Sequence, residues 1–323
     1  MSELLKIDGL STFFFTEYGT VKAVEDVNWT IRSGEIWGLI GESGSGKSTL
    51  ALSIMRMVPP PGKIVKGNIY LADIGDLMTF SENEMRQVRG KMISMSFQDP
   101  GTYLNPVVSV GNQIAEAIRI HNSNLAGPEV WARVIDLMNR VGIPSPEKIA
   151  KEYPHQMSGG MKQRILIAIA LSCSARLYIA DEPTTSLDVI VQERILDLLH
   201  ELGRKSNNAI IFISHDISLV ARSCDKAAMM YAGQMMEEGD VKSVFEDPCH
   251  PYTKLLMKTI PAIGAKQKRL LTISGRLPDL ADKPSGCAFN SRCPDATPAC
   301  KLERPAPRRV GADHYVSCLQ WET

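Results

Sequence analysis

A charge of one sign is missing from this chain. Its 36 Lys and Arg residues are balanced by 36 Asp and Glu, so nothing pulls the molecule as a whole toward nucleic acid. Long apolar runs are missing too: the longest uncharged apolar stretch, Ile165 to Ala175, is far shorter than a membrane span. Met1-Ser2-Glu3-Leu4-Leu5-Lys6 does not lead from a charged region into a sustained apolar segment, which predicts a soluble, intracellular chain without a secretory signal. Heptad runs are absent, which excludes a long coiled-coil insertion. Seven cysteines without a signal argue against a disulfide framework and for reduced thiols or metal ligation. At 323 residues the length suggests two domains with a substantial core.

The most informative stretch is nine residues long. Gly41-Glu42-Ser43-Gly44-Ser45-Gly46-Lys47-Ser48-Thr49 follows Ile36 to Ile40, which reads as a short buried strand. It precedes Leu50, Ile54 and Met57, whose spacing predicts a helix reaching about Val58, where Pro59-Pro60-Pro61-Gly62 must end it. Strand, glycine-rich loop and helix in this order make a P-loop. The glycines at 41, 44 and 46 let backbone N–H groups approach an anion, and the helix N-terminus adds partial positive charge at the same place. Lys47 can reach the β- and γ-phosphates of a nucleoside triphosphate, and the Ser48 hydroxyl can ligate Mg²⁺.

The remaining signals are individually weaker. Residues 4 to 35 read as short strands joined by turns, an antiparallel layer ahead of the P-loop, with Tyr18 at a turn where its ring could stack on a base. Gln98, just past the strand Met92 to Phe97, carries an amide able to reach both Mg²⁺ and an attacking water. From about 109 to 141 the period becomes helical. Ser158 then reads as the N-cap of a helix whose first turn, with Gly159 and Gly160, leaves backbone N–H groups bare for a second anion. Leu177 to Glu182 is an apolar strand ending in two carboxylates. Asp181 suits a Mg²⁺ role, and Glu182 is placed to accept a proton from water attacking the γ-phosphate. Ser186-Leu187-Asp188 opens another helix, and His215 follows the strand Ala209 to Ile213, on the edge where ligands bind in open α/β sheets.

In order and spacing, Gly41 to Thr49, Gln98, Ser158-Gly159-Gly160, Leu177 to Glu182, Ser186-Leu187-Asp188 and His215 resemble the ATP-binding cassette of ABC transporters over about residues 4 to 240. The resemblance implies that Tyr18 stacks on adenine, that Gln98 is the Q-loop, Ser158 to Gly160 the signature, Asp188 the D-loop and His215 the switch histidine. Met157-Ser158-Gly159-Gly160-Met161 departs from the commonest signature, Leu-Ser-Gly-Gly-Gln, at its first and last residues and keeps Ser-Gly-Gly intact. Together with Phe97-Gln98-Asp99-Pro100, Leu104-Asn105-Pro106 and His250-Pro251-Tyr252-Thr253, it is similar to the branch that powers oligopeptide and dipeptide importers. That implies ATP and Mg²⁺ as cofactors, a second ATPase chain of the same or a related kind, two transmembrane permeases, an extracytoplasmic solute-binding protein acting indirectly, no nucleic acid, and a place on the cytoplasmic face of the cell membrane. Sugar or nickel import by the same ATPase type is the alternative cargo reading. A non-transport ATPase acting on nucleic acid or ribosomes is the more distant one.

The expected architecture is α/β: a P-loop NTPase (RecA-like) core with an antiparallel β layer, a helical signature subdomain over about 102–172, and an irregular C-terminal cysteine-rich tail. The expected domains are 1–244 and 245–323. In the tail, Pro248, Pro251 and Pro261 bound one short helix, and the chain after Leu280 is mostly turns, so something must tie it down. Cys287-x5-Cys293-x6-Cys300-x17-Cys318 offers four thiolates for one zinc or one iron–sulfur cluster, with unligated thiols or disulfides as the third reading. The gaps are wider than the close Cys-x2-Cys pairs of a zinc knuckle, and the similar tail of peptide-importer ATPases implies a [4Fe-4S] cluster. Cys173, Cys224 and Cys249 stand alone and read as small apolar or surface residues.

Overall fold

The computed structural model describes residues 2–173, 175–185, 187–259 and 273–321; Ser186 and Pro261 lie outside them. The chain divides into two compact units. One comprises Glu3–Ile31, Ile36–Met78 and Ile213–Thr323, the other chiefly Arg32–Glu35 and Thr79–Phe212.

The first unit begins with β1 (Glu3–Thr16), β2 (Gly19–Arg32), β3 (Ile36–Ile40), α1 (Lys47–Ile54), β4 (Gly62–Leu71) and β5 (Gly75–Asp76). Strands β2–β1–β4–β5 form one sheet, with Ile7 opposite Ile69 and a bulge between Asp8 and Ser11. It is the expected antiparallel layer, but β1 and β2 are 14 residues long where the sequence predicts short strands, and β4 and β5 join it from beyond the P-loop. All five residues of β3 are buried, as an apolar run without alternation requires. Helix α1 stops at Ile54, one turn short of the expected Val58. Arg56 takes a positive φ of 50°, which breaks the helix before the prolines do, and Met57 points outward at 39% exposure.

The second unit follows with α2 (Glu82–Val88), β6 (Ile93–Ser96), α3 (Pro100–Tyr103), α4 (Val110–His121), α5 (Gly127–Arg140), α6 (Pro146–Ile149), α7 (Gly159–Leu171), β7 (Leu177–Asp181), α8 (Val189–Ser206) and β8 (Ala209–Ser214). Strands β8–β7–β6 lie side by side, β6 and β7 in parallel register with Ile93 beside Leu177. The helical insertion packs by apolar stripes: Val110, Ile114 and Ile118 of α4 and Val130 and Val134 of α5 are fully buried. In α7 Ile165 is buried, but Ile169, expected on the same face, is only half-buried and Ala168 takes its place in the core. No helix among the described residues is long and apolar enough to cross a membrane.

The first unit resumes with α9 (Ile217–Ser223), β9 (Lys226–Tyr231), β10 (Gln234–Asp240), α10 (Val241–Glu246), α11 (Pro251–Lys258), α12 (Pro298–Leu302), β11 (Arg308–Arg309) and β12 (Tyr315–Val316). Strand order here is β11–β12–β10–β9–β3. Strands β9 and β10 form a hairpin on Ala232 and Gly233, both at positive φ, the backbone of a two-residue turn matched to strand twist.

The tail is anchored by strand pairing and aromatic packing. β12 pairs with β10, placing Val316 opposite Glu237, and Phe289 is fully buried against Tyr231 and Tyr252 with ring centroids 5.1 and 5.3 Å away. The Glu237 carboxylate is a buried hub: Oε1 accepts from the Cys249 N–H at 2.7 Å and bonds His314 Nε2 at 2.7 Å, and Oε2 accepts from the His250 N–H at 2.9 Å. Cys249, expected as an isolated small residue, is therefore part of a buried polar knot.

Candidate functional site

Strand β3 delivers Gly41 to a position that only glycine fits. A Cβ there would lie 2.1 Å from the Met230 carbonyl oxygen and 2.6 Å from Ser45 Oγ. Gly44 and Gly46 take φ of 81° and 102°, so the loop turns its backbone inward and Gly46 caps α1. Ser43 and Gly44 are exposed at the tip, Ser45 and Lys47 are buried, and Ser48 and Thr49 are half-buried in the first turn of α1. Lys47 Nζ donates to the carbonyl oxygens of Gly41 at 2.8 Å and Glu42 at 3.0 Å and to Ser45 Oγ at 3.3 Å, which holds the ammonium within the loop. Tyr18 is 96% exposed at the β1–β2 turn, free to meet a flat ring. His215, in the same unit, is exposed just past β8 and lines a cavity of about 410 Å³ together with Gly41, Glu42 and Arg292.

In the other unit, Asp181 ends β7 fully buried, and Glu182 follows at a positive φ of 45°, a conformation that costs a β-carbon residue energy and turns its carboxylate out of the strand line. The structure brings together two residues that the sequence placed 84 apart: Gln98 Nε2 donates to Glu182 Oε2 at 3.0 Å. Thr185, which sequence reasoning passed over, donates its hydroxyl to the same oxygen at 3.1 Å. These two donors fix the orientation of the carboxylate.

Helix α7 starts as predicted. Ser158 Oγ accepts the Met161 N–H at 3.3 Å, Gly159 is exposed, and a Cβ on Gly159 would meet nothing within 4 Å. Gly160 is half-buried. Asp188 caps α8 by accepting the Val191 N–H at 3.0 Å. Each unit thus offers an anion its own helix N-terminus, α1 behind the P-loop in one and α7 in the other.

The tail cysteines are gathered. All four are free thiols, three of them buried, and the Cys287 N–H donates to the Cys300 carbonyl at 2.8 Å. Burial pushes the Cys287 thiol up, and the neighbouring Cys300 and Cys318 thiols add to the effect. Burial likewise pushes Cys293 up to about 11, with Asp295 and the thiols of Cys287 and Cys318 contributing. Among the described residues the trio of ligand atoms lying within 4.8 Å of one another is Glu237, Cys249 and His314, not the four cysteines.

A glycine-locked strand end, a loop that folds its lysine onto its own carbonyls, and a separate strand ending in Asp181-Glu182 define a P-loop nucleotide-binding protein. Comparison with known proteins is specific beyond that class. The model of the ABC transporter family matches residues 24–185, and that of the oligopeptide/dipeptide transporter C-terminal region matches residues 236–300. The dipeptide transport ATP-binding protein DppD of Escherichia coli is 44% identical over 315 residues, 98% of this chain and 96% of that protein. The oligopeptide transport ATP-binding protein AppD of Bacillus subtilis is 43% identical over 323 residues, 100% of this chain and 98% of that protein. Among solved structures, the ATP-binding cassette MJ0796, a dimer in a post-hydrolysis state bound to ADP and Pi, aligns with TM-score 0.68 at 25% identity, covering 74% of this chain and 99% of that one. cbiO1 of Clostridium perfringens, part of the ABC transporter complex cbiONQ, aligns with TM-score 0.62 at 29% identity, covering 76% and 92%. The chain belongs to the ATP-binding proteins of ABC transporters, in the oligopeptide/dipeptide branch, and is an ATPase.

Proposed function

We propose that this chain is the nucleotide-binding subunit that powers import of oligopeptides or dipeptides, docked on the cytoplasmic face of the membrane against two permease subunits and paired with a second ATPase chain. Similarity to dipeptide and oligopeptide transport proteins along nearly the whole chain, tail included, carries this reading. The proposed division is a cassette over 1–244 followed by an importer-type tail over 245–323; the tail family's match begins somewhat earlier, at residue 236.

The proposed roles follow the family pattern. The backbone of Gly41 to Thr49 cradles the phosphates, Lys47 offsets charge on the γ-phosphoryl, and Tyr18 stacks on adenine. Glu182, oriented by Gln98 and Thr185, takes the proton of the attacking water, and His215 stabilises the charge that develops. Ser48, Gln98 and Asp181 would hold Mg²⁺, which would supply positive charge against the phosphates. Ser158, Gly159 and Gly160 serve the nucleotide held by the partner chain, with Asp188 beside them. Each chain supplies half of two sites.

For the tail, a [4Fe-4S] cluster on Cys287, Cys293, Cys300 and Cys318 is the first choice, on the likeness of the tail to the oligopeptide/dipeptide transporter C-terminal region. Burial pushes the Cys287, Cys293 and Cys318 thiols up and neighbouring thiols of the tail add to it, an effect that a cation among them would reverse. The gaps between the four cysteines are wider than the close pairs of a zinc knuckle, so zinc is the second choice. Anaerobically purified protein should be brown with broad absorbance near about 400 nm; colourless protein with stoichiometric zinc would reject the cluster. For the ATPase roles, Glu182→Gln should keep ATP binding while hydrolysis falls by about 10² or more. Near-native turnover with the partner's sites inactivated would overturn them. Cargo is tested by reconstitution with the cognate permeases: uptake of nickel or sugars but not of peptides would reject the peptide reading.

A further inference from the structure

Arg292 stands one residue before Cys293, in a loop to which the sequence assigns nothing but the cysteines. Its side chain is 5% exposed and its donors are almost fully used. Nε donates to the Ser274 carbonyl at 2.9 Å and Nη2 to the Ile273 carbonyl at 3.2 Å, which fixes the guanidinium on the tail's own backbone. Nη1 then donates to both carboxylate oxygens of Glu42, at 3.0 and 2.9 Å, and to the Tyr231 hydroxyl at 3.2 Å. Anchored on one side by two carbonyls, the planar group presents its remaining edge as a rigid bracket. An arginine buried this deeply needs every partner it has, because removing one leaves a charge uncompensated.

Glu42 is the second residue of the P-loop, and every polar group it has is engaged. Its carboxylate is held by Arg292, its N–H donates to the Tyr252 hydroxyl at 3.1 Å, and its carbonyl accepts from Lys47 Nζ at 3.0 Å and from the Ser45 N–H at 3.1 Å. A chain of contacts therefore runs from the cysteine loop to the phosphate-binding lysine through one residue. Charge follows the same path. A carboxylate at the entrance of a triphosphate site repels the ligand unless a cation cancels it, and in this unit Arg292 is the cation bonded to it.

We infer that Arg292 is a positioning residue for ATP binding: through Glu42 it fixes the carbonyl that aims Lys47 and cancels the acidic charge beside the phosphates, so the tail loop sets nucleotide affinity. A tail anchor alone would use only the carbonyls of Ile273 and Ser274 and would leave the nucleotide untouched.

The test is equilibrium binding of Mg-ATP to the full chain, with thermal melting measured on the same samples, for Arg292→Met, Arg292→Lys, Glu42→Gln and the double variant Arg292→Met/Glu42→Gln. Arg292→Met should weaken ATP binding about tenfold, and Arg292→Lys, which keeps the charge but not the fork, should weaken it less. Adding Glu42→Gln to Arg292→Met should recover part of the lost affinity, because the uncompensated charge is gone. Wild-type affinity in folded Arg292→Met, or a loss that Glu42→Gln fails to relieve, overturns the inference. Should Arg292→Met not fold, wild-type affinity in Arg292→Lys together with a lowered melting temperature overturns it instead.

Discussion

Glycine at position 159 is not required by the chain that carries it, and this makes its replacement informative. It is the first residue of α7, exposed, and an added Cβ would meet nothing within 4 Å. Gly159→Ala should therefore stabilise the isolated chain by about 0.5 kcal/mol, since alanine restricts the unfolded backbone and favours the helix without meeting an obstacle. If the open space above α7 receives the nucleotide of a partner chain, the same methyl acts in the opposite direction. It extends about 1.5 Å beyond the Cα, into space that the closed pair must fill. A displacement of about 1 Å at a reacting phosphate is enough to reduce turnover about a hundredfold. Urea unfolding of the single chain and steady-state ATPase of the assembled pair read the two effects separately. A variant that is more stable and hydrolyses ATP at the wild-type rate would refute the shared site. One that is less stable would refute the account of α7 itself.

Two further outcomes follow from the first unit. Gly41→Ala forces a Cβ to 2.1 Å from the Met230 carbonyl, in a strand paired on both sides, so the P-loop must move by about 1 Å. ATP affinity and turnover should drop by about 10² or more, measured by nucleotide titration and phosphate release, and unchanged affinity would contradict the tight fit. Burial pushes the Glu238 carboxyl up from 4.5 to about 7 against the pull of Lys226, and its Oε2 is enclosed without a hydrogen-bond partner. The folded-state value is raised, so the contribution to stability is full below about pH 4.5 and is lost as pH rises through about 7. Glu238→Gln should then stabilise the chain at pH 8 by on the order of 3 kcal/mol (2.5 × 1.36) and leave it unchanged at pH 4. Equal effects in urea melts at both pH values would refute this.

The parts legible in the sequence are those where one local signal decides the backbone. Ile36–Ile40 and Leu177–Asp181 are strands buried on both sides, so an unbroken apolar run was enough. The stripes of α4 and α5 and the caps Ser158 and Asp188 are equally local. Long-range pairing was not legible. Arg292 and Glu42 are 250 residues apart, and neither stands out by composition. Cys249 reads as an isolated thiol until β10 and β12 bring Glu237 and His314 to it. The β9–β10 hairpin is hidden because Ala232-Gly233 replaces the usual Asn-Gly or Asp-Gly signal. The length of α1 was overestimated because periodicity persists past Arg56, where the backbone turns left-handed.

The pairing of β12 with β10 has a consequence for the order of synthesis. The P-loop, α7, β7 and β8 leave the ribosome before Tyr315 and Val316 exist, so β10 is first made as an open edge. An unpaired edge is a template for any extended segment nearby. During that interval a nascent cassette carries every motif of the ATPase and yet offers β10 to the wrong chain, and only the arrival of β12 closes it.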